Sequence, residues 1–420
     1  MALSTAQMSP EVEIPAHVPR ERVVDFDMYC LPEGKKGFHE AWKTLQAPGI
    51  PDIVWTSRNG GHWIATRGKV IHEVFGDFEN FSNHCILVPK EVGLQHKLLP
   101  STLDPPEHRP FRILLNTGLA PKRIHGLREQ IRQLAAELIE EVRLEGQCDF
   151  TTVYAEQLPI RIFLLIVDMP LEDAPKMKYW ADQITRPDGT MTLPEAVAAF
   201  GDYLAPYIRQ RMASPGDDML SHMVSGQIDG RPLTFYEAQQ LSVQLLIAGL
   251  DTVVNFLSYM MLYLAQNPLQ RQLLVDDPSL IPAATEELFR RFPLVCIGRL
   301  VKRDMVFHGV KLKAGEMILV PSPLHGTDER EHECPMTVDF RRKDVSHSTF
   351  GNGPHRCPGA HLARTEVIIT IEEWLARIPE FSIAPGAEIV YKGGIVGCIE
   401  AVPLVWDPAK TRTGSTARSQ

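Results

Sequence analysis

The stretch LSVQLLIAGLDTVVNFLSYMMLYLA, residues 241–265, holds no Lys or Arg and is long enough to span a bilayer. A helix apolar on every side belongs either in a membrane or in the middle of a large helical protein. Asp251 lies near its centre, and Asn255, Gln244 and Ser242 add further polar atoms. A central aspartate costs about 2.5–3.5 kcal/mol on insertion scales, and one mid-chain span would put the two halves of the chain on opposite sides of a bilayer. The sequence therefore predicts a buried helix and no membrane insertion. With 420 residues, 44% of them hydrophobic, the chain can bury the core this requires.

The rest of the chain agrees with a helical surround. From about 121 to 218 the 3.6-residue period dominates; in KRIHGLREQIRQLAAELIEEVRL, Leu127, Ile131, Leu134, Leu138 and Ile139 fall on one face. Helices also fit 155–168, 192–213, 234–266 and 281–292, and GFHEAWKTLQ reads as a short amphipathic one. VWTSRNGGHWIATRG alternates around an Asn-Gly-Gly turn and predicts a hairpin. Strand signals return at 305–315, at 317–322 and near 381–404. The expected fold class is mainly α with small β-sheets, in one large domain over 1–420. Residues 1–20 form an extended arm, and the tail from about 407 to 420 is frayed. Regular βαβα alternation is absent.

A net charge of −9 argues against a nucleic-acid binder, which needs dense Lys and Arg to displace counterions. Seven cysteines without CxxC pairs indicate neither a zinc ribbon nor a disulfide framework, which points to a reducing cytoplasm.

Cys357 sits in FGNGPHRCPG, residues 350–359, ahead of the helix-forming AHLARTEVIITIEEWLARI. Pro358 at or near the first helical position loses no needed N–H, and the free N–H groups of a helix start favour an anionic sulfur. Gly351, Gly353 and Gly359 allow tight turns and close approach to a flat object. An isolated cysteine is ordinarily a small core hydrophobe; a nucleophile would want a His/Asn partner set; a haem-thiolate ligand accounts for thiol, glycines and helix together.

Phe350, Gly353, Arg356, Cys357 and Gly359 resemble the cysteine-ligand loop of the cytochrome P450 family. Glu287 and Arg290 in EELFRRF resemble its ExxR pair, at a spacing that lets them pair on one helix face. AGLDT, 248–252, is similar to its oxygen-activating acid–alcohol segment. From the residues alone, Asp, Thr and Gly are poor helix-interior choices, and the Thr252 hydroxyl can compete for a carbonyl one turn back, so a local opening is expected there. The resemblance runs over essentially the whole chain and is nearest to the bacterial camphor hydroxylase branch, through FDMY, GGHWIATRG, DPPEHRPFR, QCDFT, PIRIF, TRPDG, GLDTVVNFLS, VSHSTFG and FSIAPGA.

That resemblance implies the P450 fold, haem b held by Cys357, and O₂ as co-substrate. It implies that His108, Arg112, Arg299 and His355 contact the haem propionates, that Asp251 and Thr252 deliver protons, and that Lys178 and Arg186 hold Asp251. Leu87, Leu98, Val295, Ile395 and Val396 would line the substrate pocket. The pocket departs from the family branch at His96 for a tyrosine, Gln244 for a leucine, Ala248 for a glycine and Ile297 for an aspartate. The implied activity is hydroxylation of an unactivated C–H bond in a camphor-, cineole- or ionone-like terpenoid or norisoprenoid by a monomeric enzyme. With no nucleotide-binding unit or iron–sulfur cysteine cluster in the chain, electrons would come from a [2Fe-2S] ferredoxin with an NADH-dependent reductase, docking on basic residues such as Arg109, Arg112, Arg341, Arg342, Lys343, Arg356 and Arg364. From another class, a haem-thiolate gas or redox sensor shares the ligand loop, although an acid–alcohol pair serves it no purpose.

Overall fold

A computed structural model describes residues 12–31, 36–95 and 97–413. Its centre is the apolar run of 235–266, which splits into two helices, Phe235–Leu250 and Thr252–Gln266. Thr234 starts the first with a capping box to Glu237. Among the described residues this run alone is long and apolar enough to cross a membrane, and 78% of its most apolar window is buried inside the protein. The surround that covers it is helical: Leu193–Ala213 packs on its first half, and a π-helical turn, Thr151–Ala155, on its second.

The helix Ala360–Arg377 enters the core beside the amphipathic Pro121–Val142. On the latter, Ile131, Leu138 and Ile139 are buried as the pattern predicts, but Ile124 and Ala135 complete the inner face while Leu127 and Leu134 lie half-buried at its margin. A 3.6-residue period fixes the stripe better than its edges.

The main sheet has the strand order Ile53–Thr56, His62–Ala65, Met317–Pro321, Cys296–Val301, Phe81–Ser82. Its first two strands are the expected hairpin, with Trp55 opposite Trp63 and positive φ at Asn59, Gly60 and Gly61. One parallel pairing, Ile318 to Trp63, joins this hairpin to an antiparallel remainder. The sheet stands at the side of the helical body and brings Cys296–Val301 toward the site.

One contiguous cluster of buried apolar side chains runs from Val18 to Trp406. Of the expected N-terminal arm, 12–15 are irregular, with Val12 N–H donating to the Ser57 carbonyl; a turn follows, closed by Val18 N–H on the Pro15 carbonyl, and Val18 is buried. The tail remains structured beyond the expected fraying point, with a 3₁₀ turn at Pro408–Lys410, a Lys410–Glu380 ion pair and Arg412 N–H on the Arg377 carbonyl.

Candidate active site

The cysteine loop folds because Gly351 and Gly353 both take φ of 64°. A Cβ on Gly353 would stand 3.2 Å from the Gly76 Cα and the Phe75 carbonyl oxygen, so conformation and space both demand glycine. Cys357 N–H then donates to the Phe350 carbonyl at 2.7 Å. The Phe350 ring is held between Phe289, 4.9 Å away, and the Arg364 guanidinium at 4.5 Å. The following helix begins at Ala360 with Gly359 as N-cap, so Pro358 lies one residue before the cap and not at the first helical position.

Protein packed around the Cys357 sulfur pushes its thiol above the ordinary value, against the backbone N–H groups of Gly359 and Ala360 and the charges of Arg112 and Arg364. The helix start alone does not produce the expected thiolate; a coordinated metal would. The residue is nonetheless exposed on one side. Gly359 supports the same view. Its φ of −81° is ordinary, and a Cβ there would meet only the Cys357 sulfur, at 3.8 Å. Nothing among the described residues requires a glycine at this point, whereas a flat group lying against the sulfur would.

A second cluster is polar and cationic. The His108 and His355 rings stand 4.1 Å apart, and the Nε2 atom of each is buried without a hydrogen-bond partner among the described residues. Burial, then Arg112, pushes His108 down to about 4; burial, then His108, Arg299 and Arg112, pushes His355 to about 2. Arg299 is 1% exposed, is lowered to about 10 by burial, and makes its hydrogen bond to the adjacent Gly298 carbonyl. So many buried donors, with Asp104 the one acid acting on them among the described residues, match a dianionic ligand. These residues fit the propionates of haem. Arg112, whose charge also acts on both histidines, bonds Asn116 and the Arg356 carbonyl of the cysteine loop.

Opposite in the sequence pattern stands the break in the central helix. Asp251 has φ −129°, and the helix restarts at Thr252. Asp251 is 1% exposed and is gripped by Arg186 through two bonds of 2.8 and 2.6 Å, with Asn255 Nδ2 at 2.9 Å and Lys178 Nζ at 3.8 Å. Burial by itself would raise the carboxyl; Arg186, then Lys178, hold it below its ordinary value. Thr252 Oγ1 donates toward the Ala248 carbonyl at 3.4 Å, the expected back-bond. Gly249 has a different cause, since a Cβ there would stand 2.6 Å from the Phe163 ring.

Sequence reasoning missed Asn255 and Asp182. Asp182 binds both cations that hold Asp251, at 2.6 Å to Lys178 and 2.5 Å to Arg186. Its spacing from them, four residues either way along one helix, was the available signal.

A cleft of about 1930 Å³ is lined by Leu87, Val88, Val243 and Ile395 and reaches Lys178, Asp182 and Arg186. Of the expected pocket residues, Leu87 and Ile395 therefore face this cleft. Leu98 and Val396 are buried, Val295 bridges to Val396, and Ile297 pairs with Val320 in the sheet. Ala248 is exposed near the C-terminal end of its helix, and Gln244 one turn away has a buried Oε1 with no partner among the described residues. His96 lies outside the described residues.

Glu287 and Arg290 form a pair with almost no exposure, with bonds of 2.7 and 2.8 Å. Arg290 also bonds the carbonyls of Gly326, Pro335 and Thr337, and Glu287 accepts from Asp339 N–H and Arg342. Every charge in this knot is satisfied, which turns a solvated-looking motif into a brace beneath the loop. Arg342 is thereby removed from the expected basic face, as is Arg364, which binds Glu286. Arg109, Arg341, Lys343 and Arg356 are exposed.

The family model for Cytochrome P450 matches residues 275–385, a span holding both the Glu287–Arg290 knot and the Cys357 loop. "Probable cytochrome P450 127A1" of Sinorhizobium fredii is 34% identical over 403 residues, covering 94% of this chain and 97% of the relative. Among solved structures, CYP101J2 is 46% identical with a TM-score of 0.88, and CYP101C1 43% identical with 0.87; each comparison covers 94% of this chain and 100% of the other.

Proposed function

We propose that this chain, which belongs to the cytochrome P450 family, hydroxylates an unactivated C–H bond of a small apolar terpenoid or norisoprenoid, using electrons from a [2Fe-2S] ferredoxin and its NADH-dependent reductase in the cytoplasm. The family uses haem b and O₂ for monooxygenation and depends on redox partners. Bound haem supplies the oxygen activation and the oxidising power that the side chains lack.

The observation that carries the reading is the helix break at Asp251–Thr252, a charged acid and a hydroxyl adjoining one opening in an apolar helix. Cys357 would ligate the iron, and Gly359 would let the ring plane come close to the sulfur. His108, His355 and Arg299 would hold the propionates, with Arg112 tying the cysteine loop from outside. Asp251 would exchange protons with the cleft when Arg186 and Lys178 release it, their alternative partner Asp182 being already in contact. Thr252 Oγ would leave the Ala248 carbonyl and pass that proton into the opening of the helix. Leu87 and Ile395 would press an apolar substrate into place and displace water.

The cysteine usage supports a cytoplasmic site, and exposed Arg109 with Arg112 near the cysteine loop supports docking of an acidic ferredoxin there. A panel of terpenoids screened for the haem Soret shift, followed by product analysis with a ferredoxin and reductase, tests the proposal. Substrate-dependent NADH consumption with a hydroxylated product is expected; a haem-loaded protein giving neither with any of them would return the sensor alternative.

A further inference from the structure

The π-helical turn Thr151–Ala155 puts on the cleft wall two side chains that an α-helix would keep apart. Glu156 N–H donates to the Thr151 carbonyl five residues back, and both residues line the cleft. In an α-helix, positions five apart face different ways; the wider turn brings them to one side. The start of the turn is tied down. Asp149 accepts from the N–H groups of Thr151 and Val402 and from Thr152 Oγ1, and Thr151 Oγ1 meets Ser258 Oγ on the second half of the central helix. Glu156 is half-buried, and its carboxyl makes no hydrogen bond to any described residue.

The charges on this wall do not balance. Two cations, Lys178 and Arg186, stand among three carboxylates, Asp182, Asp251 and Glu156, which leaves one negative charge over. Asp182 and Asp251 each hold a cation within 2.6 Å. Glu156 holds none: burial pushes its carboxyl up, Lys178 opposes this, and Asp182, Asp149 and Asp251 add to the rise. A surplus charge in such a cluster is relieved by a proton on the carboxyl without a partner. Cys398 on the same wall is pushed to about 11 and stays neutral. Val92, Tyr179 and Val390, all exposed, also line the cleft, so solvent reaches it. Lys178 is the loosest member, 2.6 Å from Asp182 but 3.8 Å from Asp251.

Resting on the monooxygenase reading above, we propose that Glu156 stores the proton that Asp251 takes up and acts through Asp251 as a positioning residue. As the proton passes from Glu156 to Asp251, Lys178 moves from Asp251 to the carboxylate left at Glu156. The neutral Asp251 no longer holds the cation and the ionised Glu156 does, so the wall gains no net charge. Solvent in the cleft then returns a proton to Glu156, and Lys178 goes back.

Infrared difference spectra of the haem-loaded full chain, native minus Glu156→Gln, isolate the carboxyl stretch of this residue from that of Glu366, which burial holds at about 8 in both. The band should titrate at least about one pH unit above an ordinary glutamate, about 4.3. In Lys178→Met, which lacks the opposing cation, it should titrate higher still. If Glu156→Gln does not retain haem, Glu156→Asp supplies the difference spectrum, its band displaced from the native one. In NADH-driven turnover, Glu156→Gln should lower kcat about tenfold while the substrate-induced Soret titration stays within about twofold of native. The native kcat should fall as pH rises through the midpoint of the band, because the protonated form is the donor. That limb should vanish in Glu156→Gln and return in Glu156→Asp. A band titrating like an ordinary glutamate, no shift in Lys178→Met, or an unchanged kcat and pH profile in Glu156→Gln overturns the proposal. If that happens while the native protein still forms hydroxylated product, the monooxygenase reading stands without it. If the native protein forms none with any terpenoid, that reading falls, and the infrared titration alone decides where the proton sits.

Discussion

In the proposed relay Thr252 and Asp251 act on protons at different points, so their substitutions should separate. Thr252→Ala leaves Asp251 and its ion pairs in place; NADH consumption should continue while hydrogen peroxide replaces most of the hydroxylated product. Asp251→Asn removes the charge that Arg186 and Lys178 hold and should slow turnover as a whole. Product yields and NADH rates at the native level in both variants would refute the relay. Asp251 and Thr252 were legible in the sequence because both are out of place inside an apolar helix. The partners that tune Asp251 were less so: Asn255 looks like one more helix polar residue until it is seen 2.9 Å from the carboxylate. Likewise, no sequence pattern says that Gln244 lacks a partner, since that is a fact about its neighbours.

At the scale of elements, the break in the central helix and the brace under the cysteine loop can be challenged by stability. Gly249→Ala would gain up to about 1 kcal/mol of helix propensity, yet its Cβ would meet the Phe163 ring at 2.6 Å. Overpacking of this kind costs about 1–3 kcal/mol, so thermal unfolding should show net destabilisation, and a raised midpoint would contradict the packing described. Glu287→Gln leaves Arg290 and Arg342 facing a weaker acceptor in a fully buried knot, and breaking such a pair typically costs about 3–5 kcal/mol. Poor haem retention on purification and a lowered unfolding midpoint are expected. The helices and the first hairpin were readable from period and turn chemistry, but the start of the helix after Cys357 was misplaced by two residues. Proline tolerates the first helical turn; here the turn of the ligand loop, closed by Cys357 N–H on the Phe350 carbonyl, extends past it.

For the molecule as a whole, acid stability and partner docking are the accessible properties. His62 and His325 are buried and pushed to about 4 and about 3, chiefly by desolvation, and His39 falls well below its ordinary value for the same reason. Between those values and about 6.5 the unfolded chain binds protons that the folded one does not, so stability should fall as pH drops through this window. An unfolding midpoint unchanged from pH 7 to pH 4 would contradict it. Arg109→Glu should raise the ferredoxin concentration needed for half-maximal reduction, and salt should do the same to the native protein, because exposed charges are screened beyond about 8 Å at physiological ionic strength. A rate indifferent to both would move the docking face elsewhere. The basic face was overcounted from sequence, since burial and ion pairing of Arg342 and Arg364 are tertiary facts. The central claim is that Cys357 would hold the haem iron through its sulfur, and the absorption spectrum of the reduced carbon monoxide complex tests it most directly. The native protein should show the red-shifted Soret band of thiolate ligation and Cys357→His should lose it; the same band in Cys357→His, or its absence in the haem-loaded native protein, would contradict the assignment.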